Sequence, residues 1–85
     1  MSGPVLLAVD DDVDLLRLTR AELMRRGHHV LVASNGAEAL AVTARVVPSV
    51  ILLDVEMPGM SGYEVCSRLQ ERVETASVPG VFVTR

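Results

Sequence analysis

The stretch V-I-L-L-D-V-E-M-P-G-M-S-G-Y-E, residues 50–64, decides how the chain folds. Val50 to Leu53 is an unbroken apolar run that stops on the single carboxylate of Asp54. The chain then turns through Pro58 and Gly59. Ser61 and Glu64 follow as an S-x-x-E pair, which opens a helix by mutual capping. A short apolar run without alternation suits a strand buried on both faces. A buried strand that ends in an acid presents that acid at the carboxyl edge of its sheet, where open α/β sheets keep their ligands and their chemistry.

Outward from this stretch the pattern repeats. V-L-L-A-V, at 5–9, is a second apolar run, closed by Asp10, Asp11 and Asp12. A helix is expected from about Asp12 to Arg26, ended by Gly27, with Val13, Leu16, Thr19 and Leu23 on its inner face. Leu18 is then a surplus apolar residue on the opposite side. His29–Ala33 reads as a strand, and the preceding pair His28-His29 as a turn and strand start. Asn35 with Glu38 caps a helix from Gly36 to about Val46, whose inward stripe is drawn through Ala37, Leu40, Ala41, Ala44 and Val47 before Pro48 breaks it. The helix after Ser61 is expected to reach about Glu74 and to bury Val65, Cys66, Leu69 and Val73. Val81 to Thr84 is a fourth strand. Strands alternating with helices demand a parallel sheet covered by helices through right-handed crossovers.

Composition bounds the function. The 85 residues make one small domain with a net charge of −3, which argues against a nucleic-acid surface. Every Lys/Arg position is an Arg; the sequence contains no lysine. Cys66 is the only cysteine, so no internal disulfide is expected and a cytoplasmic setting is the simplest reading. The apolar runs are too short to cross a bilayer, so no membrane association is expected.

Two strands thus end in aspartate. If they are neighbours, Asp10, Asp11 and Asp54 meet at one edge, where a cation or proton must sit between them. An oxygen-only ligand set of this kind suits Mg²⁺, which completes its shell with water and phosphate oxygens. The hydroxyl of Thr84, at the end of the fourth strand, reaches the same edge. The pattern points to Mg²⁺-assisted phosphoryl chemistry.

The chain also resembles the receiver domain of two-component response regulators. The matching residues are V-D-D-D at 9–12, R-R-G at 25–27, A-S-N-G-A-E-A-L at 33–40, P-S-V-I-L-L-D at 48–54, M-P-G-M-S-G-Y-E-V at 57–65 and V-P-G-V-F-V-T-R at 78–85. The likeness runs the length of the chain in the family's order and spacing. It implies a flavodoxin-like sheet of order 2-1-3-4 with three helices. It assigns Asp54 as the phosphoacceptor of a phosphorelay and a histidine kinase or phosphotransfer protein as the donor. It gives Mg²⁺ to the side chains of Asp11 and Asp54 and the backbone carbonyl of Glu56, with Asp10 holding a metal-bound water. Thr84 becomes the switch hydroxyl. The domain is a signalling module rather than an enzyme.

The departures from that family are also informative. A complete receiver continues with a fifth strand and two further helices, so residues 1–85 are read as a single receiver shortened after its fourth strand, either a fragment of a longer protein or a naturally shortened form. The lysine that pairs with the phosphoryl group in the family has no counterpart, Arg85 stands where a small residue is preferred, and Gly80 where an apolar one is. With the fourth strand at an edge and one sheet face covered by the first helix alone, a homodimer or swapped assembly is expected, with Leu18 as a candidate contact. The competing reading is a receiver-like interaction or dimerisation module that is not phosphorylated. A phosphohydrolase using a strand-end aspartate fits poorly, because the D-D-D-V-D run at 10–14 and the absence of lysine do not match its pattern.

Overall fold

The structure, a computed structural model, describes residues 4–83; Thr84 and Arg85 lie outside the described residues. Seven elements alternate along the chain: β1 (Val5–Val9), α1 (Val13–Arg25), β2 (His29–Ala33), α2 (Gly36–Thr43), β3 (Val50–Asp54), α3 (Gly62–Gln70) and β4 (Gly80–Val83). All strand pairs are parallel and the sheet order is β2-β1-β3-β4, as expected from the sequence.

The apolar runs become the two central strands because they can be buried on both faces. On one face Leu7, Val9, Ile51 and Leu53 join Ala33, Ala39, Val65 and Leu69 in the core beneath α2 and α3. Leu7 and Leu53 are fully buried; each such side chain contributes about 1.5–3 kcal/mol of transfer free energy. On the other face α1 packs against β1 and β2. Leu16 is its only buried residue, above a floor that includes the buried Leu6, Ala8 and Val30. Among the described residues no helix covers β3 and β4 there: Leu52 is only half-buried and all four residues of β4 are exposed.

The caps fall where the sequence puts them. Asp12 Oδ1 accepts the Leu15 N–H at 3.1 Å, and Asn35 Oδ1 accepts the Glu38 N–H at 2.8 Å. Ser61 Oγ accepts the Glu64 N–H at 3.2 Å, but the Glu64 carboxylate turns forward to Arg68 rather than back to the cap. Beyond α1 the N–H of His28 donates to Leu23 O and that of Gly27 to Met24 O, closing the helix as a Schellman motif. In the last turn Glu22 holds Arg25 and Arg26 together, and these two guanidinium groups keep its carboxyl below the usual range.

Three sequence expectations need correction. The buried face of α2 is Gly36, Ala39 and Thr43, not the stripe through Ala37, Ala41, Ala44 and Val47, which are exposed. A helix so rich in alanine has little contrast around its wheel, and the Thr43 hydroxyl is buried at no cost because it donates to Ala39 O at 2.9 Å. Helix α3 ends at Gln70 rather than near Glu74, so Val73 is 91% exposed. There the buried Thr75 hydroxyl bonds Leu69 O at 2.6 Å, taking up a carbonyl that helix continuation would have used. Val13 is half-exposed rather than inward.

No basic residue lies in the last turn of α2. Arg72 supplies the missing cation from the α3–β4 connection, its Nη1 donating to Leu40 O at 3.0 Å and lying 3.4 Å from Thr43 Oγ1. A charged donor on helix-end carbonyls satisfies both the open acceptors and the dipole. Arg72→Ala should therefore lower unfolding stability by about 1.5 kcal/mol, read as a reduced urea midpoint with an unchanged slope.

Candidate functional site

The site is built by the ends of β1 and β3. Their register pairs Val9 with Leu53, so the residues that follow, Asp10 and Asp54, emerge side by side at the carboxyl edge. Asp11 completes the group: one carboxylate oxygen from each of Asp10, Asp11 and Asp54 lies within 4.8 Å of the others. Asp10 and Asp54 are 8% and 4% exposed, whereas Asp11 faces solvent. The sequence reading thus brought together the carboxylates that the fold brings together.

Backbone donors fix the two buried members. Asp10 Oδ1 accepts the Asp12 N–H at 2.9 Å, and its own N–H donates to Ala33 O at 3.1 Å, tying it to β2. Asp54 Oδ1 accepts the Glu56 N–H at 3.2 Å. Glu56 sits exposed on the β3–α3 connection. Asp12 caps α1, whose N-terminus begins at Val13 beside the carboxylates and places the positive end of its dipole there. His28 and His29 are not part of the group. Thr84, read as the switch hydroxyl, lies outside the described residues; the residue before it, Val83, pairs with Asp54 across the β3–β4 ladder.

The donor set fits Mg²⁺. Its ligands are oxygens, two of its three carboxylates are held in place by main-chain N–H groups, and the third is exposed toward water that the ion would retain.

The turn behind Asp54, read at Pro58 and Gly59, leads to a glycine whose role went unnoticed in the sequence, Gly62. Gly59 has φ of 80°, the left-handed conformation that lets the chain reverse after Pro58. That reversal brings Gly62 under the end of β3, at Asp54. Its N–H donates to Val55 O at 3.0 Å, and a Cβ added to it would collide with the carbonyl of Asp54. Gly36, at the start of α2, is pressed in the same way against the Met60 side chain of this turn. The signal in the sequence was the glycine directly after the capping serine, a place where a small residue is needed if a helix begins against a strand end.

Comparison with known proteins places this geometry. The family model for the response regulator receiver domain matches residues 6–85. This chain belongs to the response regulator receiver domain family. Receiver relatives include the response regulator PleD of Caulobacter vibrioides, 43% identical over 79 residues that make up 93% of this chain and 17% of that protein. Protein PilH of Pseudomonas aeruginosa is 35% identical over 80 residues, 94% of this chain and 65% of that protein. Among solved structures, the chemotaxis protein CheY4 of Vibrio cholerae superposes with a TM-score of 0.92 at 30% identity, covering 95% of this chain and 68% of that one. The chain therefore spans less than two thirds of the curated relatives PleD and PilH. Receiver domains are signalling domains of two-component systems, and no helix among the described residues is long and apolar enough to cross a membrane.

Proposed function

We propose that this receiver accepts a phosphoryl group on Asp54. The observation that carries the reading is the convergence of the Asp10, Asp11 and Asp54 carboxylates at the carboxyl edge of the sheet. Asp54 is the member at the end of a central strand, held by the Glu56 N–H in one rotamer. An oxygen of Asp54 attacks phosphorus; the new O–P bond forms as the donor's bond to phosphorus breaks, leaving an aspartyl phosphate.

Asp11, Asp54 and the Glu56 carbonyl would hold Mg²⁺, with Asp10 orienting a water on it. Bound there, the ion supplies positive charge to the phosphoryl oxygens, so that a carboxylate can approach an anion. Thr84 is proposed as the hydroxyl that then bonds a phosphoryl oxygen. The donor is a histidine kinase or a phosphotransfer protein, or a small acyl phosphate, and the setting is the cytoplasm.

The bare side of β3 and β4 is proposed as a self-association surface. Val81 and Val83 are 48% and 44% exposed there, beside Leu15 and the 69%-exposed Leu18 of α1. Light scattering at tens of micromolar should report a dimer, and Leu18→Lys with Val83→Lys should return a monomer; a monomeric wild type would contradict this part of the proposal.

Incubation with Mg²⁺ and acetyl phosphate should add the mass of one phosphoryl group, abolished by Asp54→Asn. Absence of modification at every donor concentration would overturn the acceptor role and leave an interaction module.

A further inference from the structure

Helix α1 has two flanks, and the one turned away from β3 carries a separate feature. Val13, Arg17, Arg20 and Met24, spaced four, three and four residues apart, form one stripe. With Val32 of β2 and Glu38 of α2 they line an open groove of about 730 Å³. One end of it, at Val13, lies near the carboxyl edge of the sheet, but none of the three clustered aspartates lines it. The wall of the groove is apolar at both ends, at Val13 and Met24, and cationic between them.

The cations have no carboxylate partner among the described residues. The ion pairs formed by arginines are Arg25 and Arg26 with Glu22, and Arg68 with Glu64; Arg17 and Arg20 are in none of them. On the opposite wall the Glu38 carboxylate is taken up locally by the N–H of Ser34 at 3.1 Å. Beside the groove runs β2, which among the described residues is an edge strand of the sheet, next to β1, so a further strand can be added along its outer side. From Val13 to Met24 the helix advances about 16 Å. Three side chains on one face of an added strand, at alternate positions, span about 13 Å. The lengths match an apolar, acidic, apolar triplet.

We propose that this groove receives an extended segment of a partner protein, added along the free edge of β2, whose inward side chains are apolar, acidic and apolar in turn. The acidic side chain meets Arg17 and Arg20, and the apolar ones lie against Val13 and Met24. Main-chain pairing supplies affinity and the side-chain triplet supplies selectivity. The surface is distinct from the self-association face, which uses the other flank of the helix.

The test uses the full chain and a fluorescein-labelled peptide containing Val-Thr-Glu-Thr-Val, compared with the same peptide carrying Lys in place of Glu. The Glu peptide should bind, slow amide exchange in β2, and weaken as salt is added. The Lys peptide should bind at least about tenfold more weakly, as should the Glu peptide to Arg17→Glu with Arg20→Glu, the effect of reversing exposed ion pairs. Both arginines are exposed, so the double variant should fold, checked by an unchanged thermal midpoint; Arg45→Glu is the charge control and should bind as wild type. Equal binding of the two peptides, protection appearing in β4 instead of β2, or no binding at millimolar peptide would overturn the proposal. So would self-association that depends on Arg17 and Arg20, which would assign the groove to a second copy of this chain.

Discussion

Gly62→Ala is expected to lower the thermal midpoint by about 10 °C, corresponding to about 2 kcal/mol in a domain of this size. Helix propensity alone predicts the opposite, since Ala is favoured over Gly inside a helix by about 1 kcal/mol. The opposing term is steric. The added Cβ would meet the Asp54 carbonyl, with Asp54 C and Val55 Cα at 3.1 and 3.2 Å. These are main-chain atoms of a central strand and cannot rotate aside as a flexible side chain would. Overpacking costs about 1–3 kcal/mol where neighbours can adjust; here the cost lies at or above the top of that range. The same collision pushes Asp54 from its place, so phosphoryl transfer should slow even at temperatures where the variant remains folded. A Gly62→Ala protein more stable than wild type, with unchanged modification rate, would refute the packing argument.

The second large effect concerns the three carboxylates. At a Mg²⁺ concentration one hundred times its dissociation constant, the wild type should gain about 2.7 kcal/mol, because only the folded chain assembles the site. Asp11→Asn and Asp54→Asn should lose most of that gain. Without Mg²⁺ the sign reverses. Asn at position 54 keeps an oxygen to accept the Glu56 N–H but removes one of three charges packed within 4.8 Å. Asp54→Asn should then be more stable than wild type, by about 1 kcal/mol if the repulsion of one pair of charges at such a distance is screened as in bulk water. Thermal melts of both proteins with and without Mg²⁺ check the crossover. A wild type indifferent to Mg²⁺, or an Asp54→Asn protein destabilised in its absence, would contradict the assignment.

The elements that could be read in advance are those whose chemistry is local. Val5–Val9 and Val50–Asp54 announce themselves because a strand buried on both faces has no room for polar residues. Asp12, Asn35 and Ser61 announce helix starts because a short oxygen side chain satisfies an N–H three residues on. The Asp10, Asp11 and Asp54 group followed once two strands were read to end in acids. The features that were missed depend on distant partners. The inner face of α2 is set by contact with β2 and α3, not by hydropathy, and it includes a threonine and a glycine. The end of α3 is set by a hydroxyl beyond the helix. Gly62 matters because of a strand carbonyl contributed from elsewhere in the chain. The flank of α1 that carries Val13 became visible only when its groove against β2 was.

The ring of Tyr63 lies 4.7 Å from that of Phe82, tilted by 52°. These are the only two aromatic side chains in a sequence that has no tryptophan. All tyrosine fluorescence of the molecule therefore comes from one phenol, on the residue next to Gly62 and against the edge strand. Near-ultraviolet dichroism, which needs an asymmetric ring environment, arises from the same pair of rings. Detachment of β4 would be seen directly in the optical spectrum, while a melt followed in the far ultraviolet would report chiefly on α1, α2 and α3. The two signals divide the molecule between its sheet edge and its helices, with no label added.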